Sequence, residues 1–309
     1  MPVLGSTAAE RIAALGYDYS AQPKLRVGEC NLCGARGARV ITVARRDRYG
    51  YAARLVVCGR CGLGWLSPRM TAAAYTAFYA SVYRPLVSAF HGRRIDAATV
   101  QAQQHDYATE LADFLAPLLA RAPRTILDVG GSTGVVAGVL AAGLGARATV
   151  LDPACDELAV ARAAGMETIA GLAEQFDPGE RTWDLVLLCQ TIDHLLDVRG
   201  TLAALRRMTA SGGRAFVDIL DVDLVSQRAD GIERVVKIDH PYYLADPTAA
   251  AFFALAGYTI VAERLSGDGH RGFLLAPGPR SEPDWPALQQ RAGALLQPRN
   301  HSPGSLDQR

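Results

Sequence analysis

Two pairs of cysteines carry the plainest chemistry in the chain. Cys30-Asn31-Leu32-Cys33-Gly34 and Cys58-Gly59-Arg60-Cys61-Gly62 are C-x-x-C knuckles separated by 24 residues. Each pair can wrap one side of a tetrahedral ion. The glycine after each second cysteine eases the turn that points backbone N–H groups at sulfur. Four thiolates suit zinc and leave no position for a bound water, so the ion would be structural; two disulfides or an iron site would use the same residues. Cys155 and Cys189 read as buried or helix-end residues rather than nucleophiles.

A second constellation is Leu127-Asp128-Val129-Gly130-Gly131-Ser132-Thr133-Gly134: an acid near the end of a strand, then a glycine turn into a helix. Glycine admits close approach of a ligand, and a helix start offers unpaired N–H groups and partial positive charge, so a pyrophosphate or an amino-acid carboxylate could sit there. A dinucleotide fingerprint counted from Gly130 needs glycines where Ser132 and Val135 stand, which argues against a nicotinamide. Asp152 lies 18 residues beyond Gly134 at the end of the next strand, where a carboxylate can accept ribose hydroxyls. Asp128 adds a carboxylate able to meet an ammonium group. A zwitterionic amino acid joined to a nucleoside satisfies both features.

These residues need a scaffold, and the pattern from Arg124 supplies one. Short β-branched runs (TILDV, ATVLD, METIAG, WDLVLLC, RAFVDI) alternate with amphipathic helical stretches, which implies a parallel sheet covered by helices. YTIVAERL and GFLLAP, joined by the turn-like SGDGHR, read as a closing hairpin. Five segments follow: a flexible leader (1–25), a zinc-ribbon domain (26–70) with strands near Arg39 to Ala44 and Ala53 to Val57, a helical linker or lid (71–122), a ligand-binding domain (123–277), and a mobile tail (278–309) with a helical turn or two around Trp285 to Leu296. Tyr75, Phe78, Tyr79 and Tyr83 share one helical face, expected to pack on the main domain. Asp218, Asp221 and Asp223 are expected to be solvated loop acids.

Composition narrows the class. Among 309 residues, 32 basic side chains face 31 acidic ones, so no overall field steers polyanions. The first 70 residues hold 11 Lys+Arg against 4 Asp+Glu, and the remainder 21 against 27, so the front is the basic end. Lys24 and Lys237 are the only lysines. The start, MPVLGSTAAERIAALG, lacks the basic and apolar regions of a secretory signal, and the longest apolar stretch, Gly134 to Ala146, is too short for a bilayer span. With metal-type cysteine spacing, this places the protein in the cytoplasm with no membrane partner.

From Asp128 onward the residues resemble the class I S-adenosylmethionine-dependent methyltransferases, whose first motif is D-x-G-x-G-x-G; Ser132 replaces the central glycine. The resemblance continues through Trp183-Asp184-Leu185-Val186-Leu187-Leu188-Cys189-Gln190, His194-Leu195 and Ser211-Gly212-Gly213-Arg214 to the hairpin, over roughly 105–277. It implies an α/β fold: a Rossmann-like seven-stranded methyltransferase sheet, mostly parallel with a C-terminal antiparallel hairpin, preceded by the zinc ribbon and helical linker. It further implies that Gly130, Gly131 and Gly134 line the methionine end of the donor, that Asp128 takes its ammonium, Asp152 its ribose and Pro153 a face of its adenine. Leu172, Cys189 and Gln190 would complete the nucleoside pocket.

A sulfonium methyl group moves to an aligned nucleophile, and the acceptor's pKa decides whether a base must first remove a proton. Lys237-Ile238-Asp239-His240-Pro241-Tyr242-Tyr243 concentrates titratable and aromatic groups after the fifth strand. It resembles the Glu-His-x-x-Tyr stretch of sugar C-methyltransferases, which also begin with a four-cysteine unit, and that resemblance makes His240 the base, with Asp239 and Tyr243 beside it. Asp239 replaces a glutamate, and the C-terminal extension of those enzymes has no counterpart here. His194, next to Asp193, is a further catalytic candidate whose competing role is to brace the loop. The resulting expectation is a methyltransferase acting on O or C of a small hydroxylated acceptor, such as a nucleotide sugar, glycan or secondary metabolite. Two other readings use the same segments: a zinc-module RNA methyltransferase, opposed by the neutral total charge and the lack of aromatic RNA motifs, and a scaffold binding a protein through the ribbon.

Overall fold

The computed structural model describes residues 6–37, 40–95, 97–229 and 231–295. Its elements are α1 (Ala8–Ala13), β1 (Lys24–Leu25), β2 (Val40–Ala44), β3 (Leu55–Cys58), β4 (Gly64–Leu66), β5 (Arg69–Met70), α2 (Ala72–Ser81), α3 (Tyr83–His91) and α4 (Ala97–Leu115). Next come β6 (Thr125–Val129), α5 (Val135–Leu144), β7 (Arg147–Asp152), α6 (Cys155–Ala163), β8 (Glu167–Ala170), β9 (Trp183–Leu188), α7 (Val198–Met208) and β10 (Thr209–Leu220). The last are α8 (Val222–Arg228), β11 (Tyr242–Tyr243), α9 (Asp246–Ala256), β12 (Tyr258–Leu265), β13 (His270–Pro277) and α10 (Trp285–Leu295).

Seven strands form one sheet in the order β12-β13-β10-β9-β6-β7-β8. The pairs from β10 to β8 are parallel, and β13 runs antiparallel to both β10 and β12. This is the expected Rossmann-like seven-stranded sheet with its closing hairpin. Strands β6 and β9 are apolar on both faces, as a sheet covered by helices on each side requires. The chain leaves β6 toward β8 and then returns to β9 on the other flank. The crevice beyond the C-terminal ends of β6 and β9 is thus the topological switch point, where ligands bind in such sheets. No helix among the described residues is long and apolar enough to cross a membrane.

The cysteine segment forms a second, antiparallel sheet in the order β11-β4-β3-β2. Its fourth strand comes from far along the chain: Tyr242 pairs with Trp65 and Tyr243 with Gly64. Cys30, Leu32, Cys58, Cys61 and Trp65 belong to the same buried cluster as Val186, Leu188, Leu202 and Phe252 of the large domain.

The described parts of the leader and of the tail segment are built into the fold, where the sequence suggests flexible chain. In the leader, Thr7 and Glu10 make a capping box for α1, Tyr19 is buried, and β1 pairs with β5. In the segment read as a mobile tail, α10 buries Leu288 and Ala292, and Arg291 grips both carboxylate oxygens of Asp223 at 2.6 and 3.0 Å while donating to the Gly62 carbonyl. Apolar spacing on one short helix face, plus one bidentate ion pair, outweighs the polar composition. Residues 296–309 lie outside the described residues. Arg291→Ala should cost about 1–2 kcal/mol in urea unfolding, toward the low end for a charged hydrogen bond because Asp223 is partly exposed; an unchanged midpoint would show that this ion pair contributes nothing to stability.

Candidate active site

The turn after β6 is shaped by close approaches. Gly130 and Gly134 have φ of +71° and +77°. A Cβ on Gly130 would stand 2.6 Å from Thr191 Cγ2, and one on Gly131 2.7 Å from the Asp128 carboxyl. Ser132, at the family's central glycine, holds φ +51°, a left-handed conformation in which a side chain is uncommon. Two hydrogen bonds keep it there: its N–H donates to Asp152 Oδ2 at 3.0 Å, and its hydroxyl to Glu157 at 2.9 Å. Asp152 therefore closes the turn as well as ending β7. Its other oxygen accepts the Ala154 N–H at 2.8 Å, so a ribose would have to use the remaining lone pairs of both oxygens.

Asp128 is 1% exposed, and its Oδ2 has no hydrogen-bond partner. Burial, and then the nearby Asp152, push its pKa up to about 7. A buried carboxylate with one unpartnered oxygen under a glycine turn fits a group that brings a positive charge.

Leu172 is 38% exposed and Pro153 is also exposed, both leaving apolar surface free near the end of β7. Gln190 is the other non-glycine residue with positive φ, at +50°, and its N–H donates to Asp218 Oδ1 at 2.5 Å. Asp218 Oδ2 accepts the Tyr107 hydroxyl of α4 at 2.7 Å. The expectation of solvated loop acids is thus corrected. Asp218 is buried as a brace for the Cys189-Gln190 turn, Asp221 caps α8 and pairs with Arg271, and Asp223 pairs with Arg291.

A second group of residues converges from three elements. Asp239 and His240 are buried, and His194 joins them with its ring centroid 4.6 Å from that of His240. Tyr79 of α2 places its hydroxyl 2.7 Å from His194 Nδ1 and donates to the Asp239 carbonyl at 3.0 Å, which also lies 3.0 Å from that nitrogen. A carbonyl only accepts, so this triangle is satisfied when His194 carries its proton on Nδ1 and keeps its lone pair on Nε2. Both Asp239 carboxylate oxygens lack hydrogen-bond partners, with His240 Nε2 at 3.6 Å from Oδ2. Burial lowers the pKa of both histidines, which favours their neutral forms.

The hydroxyl of Tyr243 is already engaged: it accepts the Lys237 N–H at 2.7 Å and donates to the Lys237 carbonyl at 2.9 Å. Both bonds clamp the loop. Asp47, buried between β2 and β3, accepts the Ile238 N–H at 3.3 Å together with those of Tyr49 and Tyr51. Sequence patterning sets Tyr79 on an aromatic packing face and Lys237 in the titratable loop without giving either a role in the site, and it does not name Asp47 or Tyr107. Lys237 carries a further signal, as one of two lysines in a chain that otherwise uses arginine.

In the cysteine module, all four sulfurs lie within 4.8 Å of one another. Cys30 and Cys61 are 3.5 Å apart and Cys33 and Cys58 3.8 Å, close to the edge of about 3.8 Å that a tetrahedron with Zn–S near 2.3 Å demands. The Arg60 N–H points at Cys58 Sγ, 3.4 Å away.

The family model described as a methyltransferase domain matches residues 103–263, more than half of the chain. None of the curated proteins compared matches the chain significantly. Among solved structures, the PH0226 protein from Pyrococcus horikoshii OT3 is 18% identical, with a TM-score of 0.48 over 56% of this chain and 90% of that one. The CcbJ methyltransferase from Streptomyces caelestis is 17% identical, with a TM-score of 0.46 over 55% and 95%. Magnesium protoporphyrin IX methyltransferase from Synechocystis PCC 6803, with bound SAH, is 10% identical, with a TM-score of 0.46 over 60% and 89%. With the family match running from α4 into the first strand of the closing hairpin, the chain belongs to the methyltransferase-domain family.

Proposed function

We propose that this enzyme methylates oxygen or carbon of a small hydroxylated molecule, such as a nucleotide sugar, glycan or secondary metabolite, in the cytoplasm, and that its cysteine module holds a structural zinc. The observation that carries the donor site is the buried, unpartnered Oδ2 of Asp128 beneath the Gly130–Gly134 turn. When bound, S-adenosylmethionine supplies an electrophilic methyl group on a sulfonium. Gly130, Gly131 and Gly134 would cradle its amino-acid end, Asp128 its ammonium, and Asp152 its ribose. Pro153, Leu172, Cys189 and Gln190 would border the nucleoside. Four thiolates at tetrahedral spacing suit zinc and leave it no catalytic position.

On the acceptor side, His240 would take the proton from the acceptor while Asp239 offsets the charge that develops. His194, fixed by Tyr79, would orient the acceptor hydroxyl, and Tyr243 would hold the loop in register. The cysteine module and large domain would then act as one body, since β11 ties this loop to β4.

Calorimetry should show micromolar binding of S-adenosylhomocysteine, weakened by Asp152→Ala; no heat with either donor or product would remove the proposal. A pH signature accompanies it. Because the free carboxyl of Asp128 titrates near 7 and its ammonium-bound form must be ionised, binding at pH 6 should release close to one proton. Titrations in buffers of different ionisation heat would detect this, and Asp128→Asn should abolish it.

A further inference from the structure

We propose that Lys237 is the residue to which His240 passes the acceptor's proton, so that the state of this one lysine decides whether His240 has a lone pair to offer. The inference rests on the reading of His240 as the base. Lys237 Nζ lies 3.3 Å from His240 Nε2. A tight turn, closed by the His240 N–H on the Lys237 carbonyl at 3.2 Å, fixes that approach, and Tyr243 clamps its first residue.

The chemistry of the pair leaves two arrangements. An ammonium only donates, so a charged Lys237 must donate to Nε2; the neutral imidazole then holds its proton on Nδ1 and is blocked as a base there. A neutral amine reverses this. Nε2–H donates to Nζ, and the lone pair moves to Nδ1, which has no hydrogen-bond partner among the described residues. In the step itself the acceptor's X–H bond breaks, its proton joins Nδ1, the Nε2–H bond breaks and that proton joins Nζ. The electron pair of the X–H bond stays on X. The pair has gained one proton and one positive charge, held by an ammonium that returns the proton to water. Lys237 is thus a positioning residue that acts through His240.

The surroundings favour a single proton on the pair. Asp239 Oδ2 stands 3.6 Å from His240 Nε2, and the ring centroids of His194 and Tyr243 lie 4.6 and 6.3 Å from that of His240. Arg48 adds positive charge and Asp193 negative charge through space. Burial lowers the lysine's pKa with Asp239 opposing, and burial lowers the histidine's with Lys237 next. Two adjacent cations sharing one carboxylate would repel.

Two lysines make the test direct. The whole protein is labelled with 13C-lysine and 15N-histidine and titrated by NMR, and Lys24→Arg identifies the Lys237 signal. Lys237 should lose its proton at lower pH than Lys24. Across that same step, neutral His240 should move its proton from Nδ1 to Nε2, read from its two ring 15N shifts. In Lys237→Met the swap should vanish. The proposal is overturned if Lys237 stays charged as long as Lys24 does, or if His240 keeps one tautomer through the lysine's step. Both signals come from the unaltered enzyme, so a misfolded Lys237→Met leaves the test standing. Failure to bind S-adenosylhomocysteine would sink the methyl-transfer reading instead, and these signals would be unaffected by it.

Discussion

Asp128→Asn is expected to weaken S-adenosylhomocysteine binding by roughly 10- to 100-fold without lowering the melting temperature. The two halves of that result have one cause. A charge-assisted hydrogen bond contributes about 1.5–3 kcal/mol, which gives the loss in affinity. In the free protein the same carboxylate is buried, lacks a partner at Oδ2 and faces Asp152. Neutralising it removes a cost rather than a contact, so the unliganded variant should melt at the same temperature or higher. Gly131→Ala should reproduce the binding defect from the other side, because its Cβ would press on the carboxyl at 2.7 Å. A variant that loses stability and affinity together would show that Asp128 is there for the sheet and not for the donor.

Cys58→Ser, or exposure to a strong chelator, should have the largest effect on folding, a loss above about 4 kcal/mol, because structural zinc binding contributes folding energy directly. The knuckles do not hang off the molecule: Cys30, Cys58 and Cys61 share their buried cluster with strand β9 and helix α7. Metal analysis should find one zinc per chain. Trp65, buried in β4 and opposite Tyr242, would report the loss as a red-shifted emission. A metal-free protein with unchanged melting and emission would end the zinc assignment.

Much of the fold was legible because its signals are local. A glycine turn between a strand and a helix, alternating apolar runs and a C-x-x-C spacing each lie within a few residues of sequence, and the parallel sheet follows from repeating the first of these. What escaped was non-local or too short to have a period. Strand β11 has two residues and becomes a strand only because β4 offers an edge. Helix α10 reads as polar tail until Asp223 and the Gly62 carbonyl are brought to Arg291. Asp218 looks like a loop acid until the backbone of Gln190 reaches it. The cluster of Tyr79, His194, Asp239 and His240 draws on three segments spread over 160 residues, and only the last two were adjacent enough to be read together.

The edge that β4 lends to Tyr242 and Tyr243 also bears on how such a chain could change by recombination. A front segment moved as a cassette onto another catalytic body would arrive with one rim of its ribbon bare, and the body left behind would have a loop with no rail to run along. Exchange at this boundary should therefore succeed only when both partners travel together, which makes the cysteine segment and this loop a single unit of inheritance.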